Sequence, residues 1–149
     1  ESYYYLGYCY YFNDEIEKAL NQWEEGLTLE HAGCSYALGV YYRDEEKSNK
    51  SLEYFEITLI LDNDYTNAHM NIAQIYLEGW GVDVNPDKAI IHLNRIVELN
   101  GGDAIVFLNL GTAYKLKGNN ELRINNYQEA ARLGQSIAQD ILKKDGIEW

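Results

Sequence analysis

A single proline, a single methionine, two cysteines and three histidines in 149 residues put several kinds of protein out of reach. Two thiols cannot staple a chain of this size into a disulfide framework. Cys9 and Cys34 also lack a CxxC or an HxxxH pair to complete a zinc site, so no metal and no cofactor is expected, and both thiols are expected reduced and buried. Reduced thiols favour a cytoplasmic setting. No run of about 18 apolar residues occurs, which excludes a membrane-spanning helix, and no basic-plus-apolar leader precedes the first repeat; the chain opens on Glu1 rather than Met. Positive charge is scarce too. Twelve Lys and Arg against 24 Asp and Glu leave a net charge of −12, which repels nucleic acid and anionic membranes and steers in a basic partner. The acidic residues are dispersed ("NDEIEK", "QWEEG", "RDEEK") in the manner of solvated helix faces.

What is abundant is periodic. Leu6-Gly7, Leu38-Gly39, Ile72-Ala73 and Leu110-Gly111 are each followed three residues after the small residue by a tyrosine: Tyr10, Tyr42, Tyr76 and Tyr114. Twelve residues after the glycine stand Ala19, Ser51 and Arg123 in copies one, two and four, and a large residue follows four further on: Trp23, Phe55 and Tyr127. In the third copy the interval is four residues longer, reaching Ala89 and Leu93. Each copy therefore reads as two antiparallel helices, A and B, whose small residues allow close approach beside an aromatic knob. One hairpin cannot bury its own apolar face, but stacked copies can.

The spacing predicts helices over 2–12, 15–29, 32–43, 47–61, 66–79, 86–99, 103–117, 120–133 and 135–144. The fold class is all-α, a right-handed α-α superhelix of about four helix-turn-helix repeats (2–31, 32–65, 66–102, 103–134) within a single domain, closed by a capping helix at 135–144. In that last helix Ile137, Ile141 and Leu142 are expected to dock, with Asp140, Lys143 and Lys144 in water. Asn85 is placed to cap the helix that Pro86 begins, and Gly134 to stop the one before it. The stretch "GWGVDVNPDKA" follows a helix and lacks the Lys-Ser or Lys-Thr pair of a phosphate loop, so Gly79 and Gly81 read as a hinge at backbone angles closed to other residues. Trp80 between them either packs on a neighbouring loop or stands out as an anchor.

Copies one, two and four, with LG..Y, the small residue and the following aromatic, resemble tetratricopeptide repeats. Copy three, "AHMNIAQIYLEGWGVDVNPDKAIIHL", resembles the Sel1-like variant in its Ala, small residue, Tyr, Gly-x-Gly-Val and Lys-Ala, as does "YQEAARLG" in copy four. Ser51, Arg123 and Ala73 depart from the usual small residues, and the proline that commonly ends a unit is missing. The resemblance implies a non-catalytic scaffold that binds a peptide, helix or protein surface along the inner face formed by the A helices.

Carried over by register, that face holds Tyr4, Tyr8 and Tyr11, then Tyr36, Val40 and Arg43, then Met70, Gln74 and Leu77, and finally Leu108, Thr112 and Lys115. Nine of the 14 tyrosines fall in the first 42 residues, more than the repeat pattern explains. The surplus rings are either interface anchors or a cover for the first repeat's edge, where further repeats or self-association would dock. Tyr4, Tyr8, Tyr36 and Val40 stand where a carboxylate clamp would need Lys, Asn and Arg, which argues against such a clamp. An aromatic groove in an acidic shell suits a segment with apolar anchors and flanking Lys or Arg.

Catalysis finds little support. His31, His69 and His92 stand far apart in register with no nucleophile at an obvious spacing, and adjacent acid pairs such as Glu24-Glu25 and Glu45-Glu46 diverge on a helix. The leading expectation is a protein-binding adaptor; the alternative is an acidic immunity- or antitoxin-type inhibitor that neutralises a basic enzyme. A third reading is a structural piece of a longer solenoid.

Overall fold

A computed structural model describes residues 2–149. Among them are nine helices and no strand: α1 (Ser2–Phe12), α2 (Ile16–Thr28), α3 (Ala32–Asp44), α4 (Ser48–Leu61), α5 (Thr66–Glu78), α6 (Pro86–Asn100), α7 (Ala104–Leu116), α8 (Asn120–Arg132) and α9 (Ser136–Lys144). Every helix lies where the repeat spacing predicts it, with ends differing by at most one residue.

The chain divides into two compact units, residues 1–68 and 69–149. In the first, α1 packs on α2, α2 on α3 and α3 on α4. Ala19, Trp23, Cys34, Ala37 and Leu38 form a core against which Tyr3, Tyr4, Tyr8 and Tyr11 pack. In the second, α6 packs on α7, α7 on α8 and α8 on α9, with Tyr127, Ala130, Ala131, Ala138 and Leu142 closing one end.

The small-plus-aromatic register is a steric lock. A Cβ on Gly7 would stand 2.1 Å from Trp23 Nε1, one on Gly39 2.6 Å from two ring atoms of Phe55, and one on Gly111 2.3 Å from the Tyr127 ring. These glycines are required by contact, because Cβ atoms do not approach so closely. In the third copy Ala73 takes the glycine's place, and Leu93 takes the ring's, both fully buried. Ser51, the departure in copy two, is buried and donates its hydroxyl to the Gly39 carbonyl at 2.9 Å. Arg123, its counterpart in copy four, reaches outward to Asp145 at 2.8 Å.

The repeat tyrosine sets the turn through its backbone. The carbonyls of Tyr10, Tyr42 and Tyr114 accept hydrogen bonds from the N–H groups of Glu15, Lys47 and Asn119, five residues on, at 2.8 to 3.0 Å. Together with the bond one residue inside, this is the Schellman closure of helix A. Tyr76 accepts the same bond from Asn85, nine residues on, at 2.8 Å. The four extra residues of copy three thus loop out between two conserved ends of one bond, with Gly79 and Gly81 at φ +72° and +65°. Asn85 Oδ1 accepts from Lys88 N at 3.1 Å, the cap expected ahead of Pro86, and Gly134 stands at φ +90°.

Four expectations need correction. Cys9 is exposed and only Cys34 buried, because position 9 of α1 falls on the face opposite Trp23. His69 and His92 meet, since an A-helix and a B-helix position of one hairpin face each other across α5 and α6. Ile137 is 55% exposed, and α9 docks through Ala138 and Leu142, one helical turn apart. Leu77 is 8% exposed and packs inward rather than lining a surface. Trp80 stands outward, 44% exposed.

Candidate binding site on the tyrosine cluster

The first unit gathers the tyrosines that the repeat pattern leaves unexplained. Tyr4 and Tyr8 are one turn apart on α1, with ring centroids 5.0 Å apart and edge to face. Tyr8 continues to Trp23 at 5.2 Å, and Tyr11 to the same indole at 5.9 Å. On α3, Tyr36 lies against Phe55 at 5.6 Å and against Tyr65 at 4.9 Å. Aromatic pairs at such distances and tilts each contribute about 0.5–1.5 kcal/mol beyond the area they bury. The rings therefore hold one another in place.

The hydroxyls converge as well. Tyr4 and Tyr36 both act on the phenols of Tyr8 and Tyr65, so the four hydroxyls share one neighbourhood. Desolvation is the first cause that raises the Tyr8 phenol well above the ordinary tyrosine value, followed by the neighbouring Tyr4, Tyr36 and Tyr65. Desolvation also leads in pushing Tyr65 up to about 12, with Tyr4, Tyr36 and the Asp62 carboxylate adding to it. The result is a half-buried patch of neutral phenols, apolar in body and able to donate or accept at the hydroxyl.

Beside the patch a cleft of about 400 Å³ opens between the starts of α1 and α3 and the turn before α5. Tyr4, Tyr5, Glu30, His31, Asp62 and Tyr65 contribute to its walls. The His31 ring stacks on Tyr4 at 6.0 Å, while its buried Nδ1 turns toward Gly33.

The remaining residues placed on the A-helix stripe have varied settings. Val40 is half-buried, and Arg43 pairs with Asp44 at 2.9 Å. In the second unit Met70 and Gln74 are half-buried, and Met70 Sδ accepts from Asn109 Nδ2 at 3.4 Å. Leu108 and Thr112 are half-buried too, the Thr112 hydroxyl donating to the Leu108 carbonyl at 3.0 Å, and Lys115 is exposed. Tyr65 was missed by the spacing argument because it lies outside a helix. It does share a register position with His31, the entry to helix A, and an aromatic at two successive entries was the available signal.

Elsewhere in the second unit, His69 Nδ1 and His92 Nδ1 are 2.9 Å apart and the rings 5.1 Å apart. Desolvation first, then His69 and Lys88, push His92 down to about 4. Among the described residues no group of three or more His, Cys, Asp or Glu is arranged to hold a metal ion, and no helix is long and apolar enough to cross a membrane.

Solved structures similar to the chain include a Sel1 repeat protein and a tetratricopeptide protein. A Sel1 repeat protein from Oxalobacter formigenes superimposes with a TM-score of 0.76 at 21% identity, over 99% of this chain and 66% of its own. YrrB, described as a tetratricopeptide protein with an unusual peptide-binding site, gives 0.74 at 23% over 95% and 73%. The fold is that of Sel1- and tetratricopeptide-like repeats. MamA gives 0.73 at 18% over 92% of this chain and 79% of its own. No protein-family model matches the chain, and no curated protein matches it in sequence. At these identities the likeness extends to the Sel1- and tetratricopeptide-like fold, an all-α helical-repeat superhelix, and the chemistry of the face is this chain's own.

Proposed function

We propose that the protein is a non-catalytic interaction scaffold whose first unit holds a peptide or protein segment on Tyr4, Tyr8, Tyr36 and Tyr65. The observation that carries this reading is the convergence of four half-buried tyrosines whose rings the repeat lock does not require. Tyrosine suits the role because it brings large apolar area and a hydroxyl at low entropic cost. The presence of a peptide-binding site in YrrB, a protein of similar fold, adds support. With a net charge of −12 on the chain, a partner carrying apolar anchors and basic flanks is favoured over an acidic one.

Peptides selected from a random displayed library test the reading. Their affinity should fall at least tenfold in Tyr65→Ala and in Tyr36→Ala, while Lys115→Ala in the second unit leaves it unchanged. Because Tyr36 also packs on Phe55, helical circular dichroism and the melting temperature must accompany each variant. Selected peptides that bind every variant equally would move the site off this face.

A further inference from the structure

We propose that the cleft at the edge of the tyrosine patch is a subsite for an arginine side chain of the bound segment. The inference rests on the reading of the patch as a peptide-binding face. Three tyrosines, Tyr4, Tyr5 and Tyr65, and two acidic residues, Glu30 and Asp62, line it. No lysine or arginine is among the lining residues. At about 400 Å³ the cleft admits one long side chain and not a folded element.

The two kinds of wall ask for the same ligand. Electron-rich ring faces attract a cation, most strongly one that is weakly hydrated and flat. The carboxylates supply countercharge on the same opening, and the Asp62 charge is close enough to the Tyr65 hydroxyl to help raise its pKa. Guanidinium meets both demands, since its faces stack on phenols while its edge donates paired hydrogen bonds to a carboxylate. The wall is also pre-ordered. Tyr4 is braced by the edge-to-face Tyr8 ring and the stacked His31 ring, and Tyr65 by the Tyr36 ring, so binding immobilises little of these two side chains that is not already fixed. An anion is opposed by both carboxylates, and a purely apolar side chain leaves their charge uncompensated.

The test uses N-acetyl-arginine amide as the probe and N-acetyl-citrulline amide as its neutral isostere, each titrated into the whole chain. Ring resonances of Tyr4, Tyr5 and Tyr65 and the Gly33 amide are followed by NMR. The arginine probe should shift these signals saturably in the millimolar range, and the citrulline probe should bind at least fivefold more weakly. Glu30→Gln with Asp62→Asn keeps side-chain shape and the Asp62-type acceptor for Asp64 N, and should weaken the arginine probe three- to tenfold and remove its salt dependence. Equal binding of both probes, or shifts that survive the double variant, would overturn the subsite. The two readings fail separately. Selected peptides that lose affinity in Tyr36→Ala but ignore the double variant refute the subsite alone. Peptides indifferent to the tyrosines refute the patch, and the subsite with it.

Discussion

Gly39→Ala is the sharpest perturbation of the repeat lock. The new methyl carbon would stand 2.6 Å from both Cδ1 and Cε1 of Phe55, a ring with no exposed surface that is itself braced by Tyr36. Relief requires the ring or the α3–α4 spacing to give by nearly 1 Å, and overpacking of this kind costs about 1–3 kcal/mol. Two ring atoms inside contact distance argue for the upper end, about 3 kcal/mol. Replacing a mid-helix glycine by alanine returns about 1 kcal/mol of helix propensity, which leaves a net loss of about 2 kcal/mol. For a chain of this length that is roughly 4–8 °C in Tm. The partner change, Phe55→Leu, leaves a void and should cost about 1–2 kcal/mol alone. The double variant rebuilds the Ala73 and Leu93 pairing of the third copy. The methyl then occupies space the ring has vacated, so the two losses should not add, and the shortfall should reach at least about 1.5 kcal/mol. Urea and thermal unfolding of the four proteins, followed by circular dichroism, give the coupling directly. A stabilised Gly39→Ala, or losses that simply add, would refute the claim that glycine is held there by the ring.

Other expectations follow from the turns and the titrating groups. Glu46 closes α3 at φ +57°, a conformation that costs a residue with a Cβ about 1 kcal/mol, so Glu46→Gly should raise stability by about that amount in urea melts. The reverse change at the matching turn, Gly118→Ala, should cost about 1 kcal/mol although nothing lies within 4 Å of the added carbon. His92, held down to about 4 against 6.5 in the unfolded chain, binds its proton more readily unfolded; stability is therefore full above pH 6.5 and falls as pH drops from 6.5 toward 4, a slope that His92→Gln should flatten. Tyr65, raised to about 12, stays neutral longer folded than unfolded, so stability should decline as pH climbs from 10 toward 12, and ultraviolet titration of Tyr65→Phe should lack one late phenol.

Helix positions were legible from sequence because two independent periods agree. The 3.6-residue spacing of apolar positions set the helices, and the recurrence of small residue, tyrosine and aromatic set how they pair, even through the four-residue insertion before Pro86. Contacts between side chains at helix entries were not legible. Tyr65 and His31 lie outside helical periodicity, and nothing in a stripe argument says that two turn residues close one cleft. The histidine pair was missed for a related reason. His69 and His92 are 23 positions apart, and only the antiparallel register of α5 and α6, lengthened by the insertion, brings their Nδ1 atoms to 2.9 Å. Leu77 fails differently: being on the A-helix stripe places a residue on a face, whereas burial is decided by what the neighbouring helix brings to that height.

The tyrosines divide by the part of the residue that the fold uses. At Tyr10, Tyr42, Tyr76 and Tyr114 the structural work falls to the backbone carbonyl, which takes the closing hydrogen bond of helix A. A carbonyl is present in every residue, so that bond cannot by itself select tyrosine. The rings there are free to serve locally, as Tyr42 does in stacking on Tyr54 with Lys50 over its face, and Tyr76 in accepting Lys88 at its hydroxyl. At Tyr4, Tyr8, Tyr36 and Tyr65 no such backbone duty recurs, and what unites them is ring and hydroxyl. Phenylalanine would fill the same space and would spare the desolvation that lifts the Tyr8 and Tyr65 phenols. On the proposed binding role, a cluster that keeps hydroxyls at that cost, half open to solvent, serves something that hydrogen-bonds from outside. Tyr4→Phe separates the two accounts: a merely structural cluster should gain or hold stability when a partly desolvated hydroxyl is removed, and binding of selected peptides should be untouched. Loss of peptide affinity with an unchanged Tm would assign the hydroxyl to the partner.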